Sequence, residues 1–458
     1  MYKAYVTKIT NVRKHPNADR LQLGECFGNT VCVNMDYSEG QVGVYFPTDG
    51  QLSLEFAATN NLLRKKDANG NNIGGYMDPE KRNVSAIRLR GEKSDGLFLP
   101  LNCLDSFGDI GALKVGDTID VFNGHEICKK YIPNKRGGQQ RVGNKARKKS
   151  VPVAPLFKEH AETEQLAYNL SAFSPGDELE FTLKMHGTSG RTAYLPVFKG
   201  YKKTIIDRIK RRTGTPIYDW GYVTGSRRVV LNSYDGGYHG SNEFRERHAK
   251  FFEGKLWKGE EVFYEIVGFT TNGTPIMPVA NNKKTGDKDF VKKYGKYTTF
   301  SYGSNPYGHD GDPQSDFYVY RMTITNEDGD VVEYTPDFMR YRCEQMECKC
   351  VPLMAKATIN NSGVCVQDLN NNFYGFPHDG IAGQTIKEIA EKYCDGVDPI
   401  GLTHIREGVV VRVVNRPRFC AYKHKNWSFK VLEGIVKVDA SAPDMEEAEE
   451  LGGEDHAV

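Results

Sequence analysis

The chain has 458 residues, too many for one ordinary hydrophobic core, so two or three domains are expected. Hydrophobic residues make up 39%, enough for real cores, and 61 Lys plus Arg against 59 Asp plus Glu leave a formal charge of +2. That balance excludes a global polyanion-binding surface and confines any nucleic-acid contact to local charge. No apolar run approaches the ~20 residues of a membrane span, and the opening sequence MYKAYVTKIT lacks the apolar core of a signal peptide. Ten cysteines are too sparse for a disulfide scaffold; a soluble, cytoplasmic protein with reduced thiols is expected. Cys343, Cys348 and Cys350 cluster, but their spacing is poor for zinc.

Residues 1–124 read as short strands (YKAYVTKI, LQLGECF, TVCVNM, GVYFPT, VSAIRLR, GLFLP) separated by Gly, Asn, Asp and Pro turns, the pattern of a small β-barrel. Residues 125–155 are rich in Gly, Pro and Gln, and positions 129–149 hold nine basic residues and no acidic one, which predicts a flexible linker able to grip phosphates. Residues 156–438 mix strand-like runs (178–185, 261–268, 317–325, 408–415) with helical ones (241–255, 383–395), and 202–214 is expected to form a basic amphipathic helix. Positions 439–458 carry eight acidic residues and no Lys or Arg, and are expected to be a disordered tail.

Five separated blocks carry the candidate chemistry: Lys184-Met185-His186-Gly187-Thr188-Ser189, Ser226-Arg227-Arg228, Phe263-Tyr264-Glu265, Glu407-Gly408 and Lys423-His424-Lys425. A lysine attacks the α-phosphorus of a nucleoside triphosphate only when its ammonium is deprotonated. It also needs cations against the phosphates and carboxylates to hold a bridging metal. The spacing excludes a single loop, so separate strands must converge. Gly187 lets the backbone turn tightly beside a ligand.

In this order the blocks resemble the covalent nucleotidyltransferase superfamily of polynucleotide ligases and mRNA capping enzymes. KMHGTS is similar to the first motif of phage-type RNA ligase 2 and the RNA-editing ligases. Phe317 to Tyr320 resembles the aromatic strand after the third motif, and Phe429 completes the fifth. His15-Pro16-Asn17-Ala18-Asp19-Arg20-Leu21, with IRLRGEKSDGLFLP (87–100), resembles tRNA-binding OB-fold modules, and an OB domain placed before the catalytic domain is similar to one RNA ligase family. The fold implied is α+β: an N-terminal OB-fold β-barrel for RNA binding, then a mixed α/β, ATP-grasp-like nucleotidyltransferase domain built on antiparallel sheets. The activity implied is an ATP-dependent RNA ligase, a monomer, joining RNA 3′-hydroxyl and 5′-phosphate ends through lysyl-AMP on Lys184.

The resemblance assigns roles residue by residue. Glu265 and Glu407 hold Mg²⁺ or Mn²⁺. Lys423 and Lys425 favour neutral Lys184 and brace the α-phosphate. Phe263 stacks on adenine, with Tyr264 its substitute if the register shifts by one. Arg227 contacts a phosphate. His186 and Gly187 line the nucleotide site, and Thr188, Ser189, Arg191 and Arg228 face RNA. His186 stands where the commoner motif has Asp, so metal organisation near Lys184 rests on the glutamates or on an imidazole hydrogen bond. A GTP-dependent capping guanylyltransferase or DNA ligase is the rival within the superfamily. Thr188-Ser189 and the lack of a later OB-like region argue against each in turn. A non-catalytic RNA-binding protein is the rival from another class.

Overall fold

The computed structural model describes residues 2–66, 72–131, 152–160, 163–209, 213–227, 230–231, 234, 242–308, 314–378 and 381–438. Most of the expected basic linker, Arg228 and the acidic tail lie outside them.

The chain divides into two compact units, each discontinuous in sequence. The first gathers Met1–Gly137, Ala280–Tyr297 and Trp427–Asp444; the second holds Gly138–Val279, Thr298–Asn426 and Met445–Val458. The domain expected to run unbroken from 156 to 438 thus gives up two segments to the first unit. Side-chain chemistry accounts for one of them: in helix Trp427–Val438, Lys430 reaches Asp95 at 2.5 Å and the Trp427 ring lies 4.6 Å from the Lys93 ammonium.

In the first unit, strands Leu97–Pro100, Val42–Phe46, Ala4–Lys8 and Thr118–Ile119 form one antiparallel sheet, and Thr10–Lys14, Gln22–Cys26 and Asn29–Val33 form another. Val6, Val44, Phe46, Leu52, Phe56, Leu104 and Ile127 build the core. The strand-rich reading holds, but among the described residues the sheets do not close into the expected barrel. The strands are short, two to five residues, and among the described residues the sheets share no ladder that joins them edge to edge. The loop 15–21 is a locked turn. His15, 1% exposed, accepts from Asn17 N–H at Nδ1 (3.0 Å) and donates from Nε2 to Leu89 O (3.2 Å), while Asn17 Nδ2 donates to Arg90 O (3.0 Å).

The second unit contains two sheets. A seven-stranded sheet runs Glu164–Gln165, Ala421–Lys425, Gly408–Val413, Glu178–Lys184, Leu353–Asn360, Gly363–Asp368, Phe373–Pro377, antiparallel except at its first pair. A five-stranded antiparallel sheet runs Thr215–Gly225, Thr188–Lys202, Glu260–Gly268, Ser315–Thr325, Val331–Glu333. Alternation directs the side chains: Leu179, Phe181 and Leu183 are buried to 1%, 0% and 1% exposure, so Lys184 projects to the other face. Helices Glu243–Phe251 and Ala382–Cys394 form where apolar periodicity placed them. The expected helix over 202–214 does not form at that length. Thr188–Lys202 and Thr215–Gly225 instead make a long hairpin whose outer part holds, among the described residues, the short helix Ile205–Ile209. Gly214, at φ +92°, turns the chain back against Lys202 O.

Candidate active site at the junction of two sheets

Lys184 ends a strand of the seven-stranded sheet and Thr188 begins a strand of the five-stranded one, so Met185, His186 and Gly187 carry the chain between them. Gly187 is required by contact: a Cβ there would stand 2.3 Å from Ile266 O and 3.0 Å from Glu265 Cγ. Its N–H donates to Glu265 Oε1 at 3.1 Å, which ties the crossing to the Glu260–Gly268 strand.

On the other side, Lys184 pairs with Gly408 and Gly408 with Lys425, one line across three strands. Directly opposed residues share a face, so the two lysines point the same way, and Lys423, two residues earlier, joins them. A Cβ on Gly408 would lie 2.1 Å from His424 O; only glycine lets the strands close there. Glu407, just before it, is 2% exposed and sits among the cations. Its Oε1 is 2.7 Å from Lys184 Nζ and 3.4 Å from Lys425 Nζ; Oε2 is 3.7 Å from His186 Nδ1. That last separation is too long for a hydrogen bond, and Glu407 Oε2 is buried without one.

Tyr302, which no motif singled out, completes the turn. Its hydroxyl accepts the His186 N–H at 2.6 Å, it is 3% exposed, and its backbone holds the left-handed conformation at φ +48°. The His186 ring meets Phe300 edge-on at 4.7 Å, and the fully buried His404 packs on Phe300 (5.2 Å) and Tyr302 (4.6 Å). The sequence from Thr298 to Gly303 carries no pattern that marks this role.

Other expected site residues take varied places. Glu265 and Arg227 both act on Tyr320: burial and the Glu265 charge push its hydroxyl up to about 12, with Arg227 pulling the other way. Phe263 is 3% exposed and its ring already has neighbours, His160 at 4.8 Å and the Arg321 guanidinium at 4.6 Å. Tyr264 is on the opposite face from Glu265. It packs on Phe252 (5.2 Å) and Phe317 (5.4 Å) and shares a hydrogen bond with Thr192 (3.0 Å), so strand alternation makes it core and not a substitute for Phe263. Nor does the structure leave Thr188, Ser189 or Arg191 on an RNA-facing surface: they are 0%, 5% and 1% exposed. Arg191 donates to Ser226 O (2.7 Å), Lys158 O and Glu261 Oε1 (3.0 Å); Arg245 binds Thr188 Oγ1 and Ser189 O.

The donor set suits a divalent cation that keeps most of its shell as water and phosphate. Two carboxylates touch the 184–187 crossing, and one of their oxygens is buried and unbonded. No group of three or more His, Cys, Asp or Glu among the described residues is placed to hold a metal ion.

No protein-family model matches the chain, and no curated protein does. Solved structures do. A variant of the Naegleria gruberi RNA ligase with ATP and Mn is 16% identical, covering 94% of this chain and 97% of its own at TM-score 0.53. A second variant of that ligase with AMP and Mn is 15% identical over 93% and 97% at TM-score 0.52. The ligase with PPi is 16% identical over 92% and 96% at TM-score 0.51. No helix among the described residues is long and apolar enough to cross a membrane. The mixed α+β architecture, with its antiparallel sheets, is similar to the fold of these RNA ligase structures.

Proposed function

We propose that the chain is an ATP-dependent RNA ligase that joins a 3′-hydroxyl to a 5′-phosphate, with Lys184 as the nucleophile. One observation carries this reading: the Lys184 amine lies 2.7 Å from a buried carboxylate, beside a second lysine, at a backbone crossing that only glycine permits. In the first step Nζ loses a proton and attacks the α-phosphorus of ATP. A P–N bond forms, the Pα–O bond to the β-phosphate breaks, and pyrophosphate leaves. A 5′-phosphate oxygen of RNA then attacks the same phosphorus and frees Lys184. Finally the 3′-hydroxyl attacks the activated 5′-phosphate, loses its proton, and expels AMP.

Glu407 steers Nζ and stands within reach of its proton. Lys425 stands beside it on the same carboxylate oxygen. Lys423 and Lys425 brace the non-bridging α-phosphate oxygens as charge develops, Arg227 contacts phosphate, and Phe263 borders the adenine once its present neighbours yield. Glu265 and Glu407 would hold Mg²⁺ or Mn²⁺, which neutralises phosphate charge when bound. The first unit binds RNA. Incubation with ATP labelled at the α-phosphate and Mn²⁺ should yield a protein–AMP adduct that is acid-labile and alkali-stable, and Lys184→Ala should abolish it. Labelling from GTP but not ATP would select the capping reaction; labelling without sealing on any RNA end panel would refute end joining.

A further inference from the structure

The hairpin Thr188–Lys202/Thr215–Gly225 carries chemistry that the adenylylation site does not use. Along one face, cross-strand register sets Tyr194 opposite Tyr222, Pro196 opposite Trp220 and Phe198 opposite Tyr218. The rings form two groups along it. Tyr194 stacks on Tyr222 at 4.7 Å and 27°, lies 5.8 Å from Trp220, and Phe198 meets Tyr218 at 6.0 Å and Tyr201 at 5.0 Å. Most are half-buried and Tyr201 is 38% exposed, so each ring keeps surface for a ligand. The Lys258 ammonium stands 5.2 Å from the centre of the Trp220 ring. At the outer end of the hairpin Lys199, Lys202 and Lys203 are all exposed.

Aromatic pairs across strands stabilise a hairpin by themselves. They do not account for the charge. Like charges this close together repel one another and weaken the hairpin that displays them, a cost that a bound polyanion offsets. A stripe of half-exposed rings bordered by lysines is the surface that unpaired bases and their phosphates fit. Every base has a face to stack, and duplex bases are not free to reach a ring. We propose that this hairpin is a docking platform for single-stranded RNA, resting on the ligase reading only for the identity of the polyanion.

Its position sets what it does. The strand starts one residue after Gly187, and Tyr194 lies six residues on, about 20 Å along it. Positions 190, 192 and 194 belong to the sheet face opposite Ser189 and Glu265, because Ser189 and Glu265 are directly paired. RNA held there is captured away from the reacting ends, so the platform contributes to RNA affinity and not to adenylyl transfer.

The test uses the full chain and reads anisotropy of a fluorescein-labelled oligouridylate, without ATP, over a KCl series, with ATP labelling measured on the same preparations. Tyr194→Ala with Trp220→Ala should weaken binding about tenfold or more. Lys202→Gln with Lys203→Gln, both exposed, should reduce the slope of log affinity against log salt by roughly 1.4, the change expected when two phosphates are no longer neutralised. ATP labelling should be unchanged in both. Unaltered affinity and salt slope in the folded lysine variant would overturn the platform, whatever becomes of the aromatic variant. So would binding to phosphatidylserine vesicles with none to RNA, the outcome that exposed Ile205 (76%) and Ile206 (59%) would favour on a lipid surface. A wild-type protein that binds RNA in this manner but takes no label from ATP would sink the ligase reading and leave the platform standing.

Discussion

Glu260 and Glu407 are both buried in the second unit, at 0% and 2% exposure, yet they are used in opposite ways. Every oxygen of Glu260 is satisfied. Arg342 binds it through two nitrogens at 2.8 Å each, Tyr334 donates at 3.0 Å and Trp257 N–H at 2.7 Å. Glu407 shares one oxygen between two lysines and keeps the other unbonded. A burial cost met in full marks a part that holds the fold together. At Glu407 part of that cost is left unmet. Thr188 and Arg191 belong with Glu260 by the same measure, although the sequence reading has them facing RNA.

The largest effect that could erase this contrast lies at Glu407. Glu407→Ala should cut self-adenylylation by roughly 10²- to 10³-fold with little change in thermal stability; a large fall in melting temperature with normal activity per folded molecule would put Glu407 in the same class as Glu260. The converse holds for Glu260→Ala. Leaving Arg342 buried and unpaired should cost about 3–5 kcal/mol in urea unfolding while the folded fraction labels normally.

A smaller effect refines the line between the two classes. Tyr302→Phe keeps the ring packed on His404 and removes one hydrogen bond from the crossing backbone, so adenylylation should slow roughly 3- to 10-fold with ATP affinity retained. An unchanged rate would make Tyr302 packing alone.

The smallest effect is one of pH. Burial, with Arg247 and Arg245 nearby, holds the His248 imidazole down to about 3, and Ser315 Oγ is 2.9 Å from its Nε2. The unfolded chain takes up a proton below the ordinary value of 6.5 and the folded chain does not, so stability is full above that value and declines as pH falls from 6.5 toward 3. Between pH 7 and pH 5 the loss should be about 2 kcal/mol. Melting curves of His248→Gln should lack that part of the slope; an identical slope would show that His248 is protonated in the fold.

Much of the site is legible in the linear chain. Lys184, Gly187, Glu265, Glu407 and Lys425 stand out by residue type and order, and they do meet at the crossing between the sheets. Tyr302 is invisible there because its role is one hydroxyl against one backbone N–H, contributed from 116 residues away and carrying no local pattern. Tyr264 is ambiguous because the residues of a strand alternate between faces, and only pairing register says which face the site occupies. The two segments that join the first unit escape notice for a similar reason. Asp95 and Lys430 are 335 residues apart, and nothing local to helix Trp427–Val438 tells where it docks.

Side-chain chemistry and short-range periodicity dictate which reactive groups are present, where many strands and the helices Glu243–Phe251 and Ala382–Cys394 form, and where glycine must stand; all of this is written in the order of residues. Which polar groups closed on one another, as at Glu260, and which kept an oxygen open, as at Glu407, was settled by packing. That outcome depends on register and burial across hundreds of residues, and no local stretch of chain encodes either.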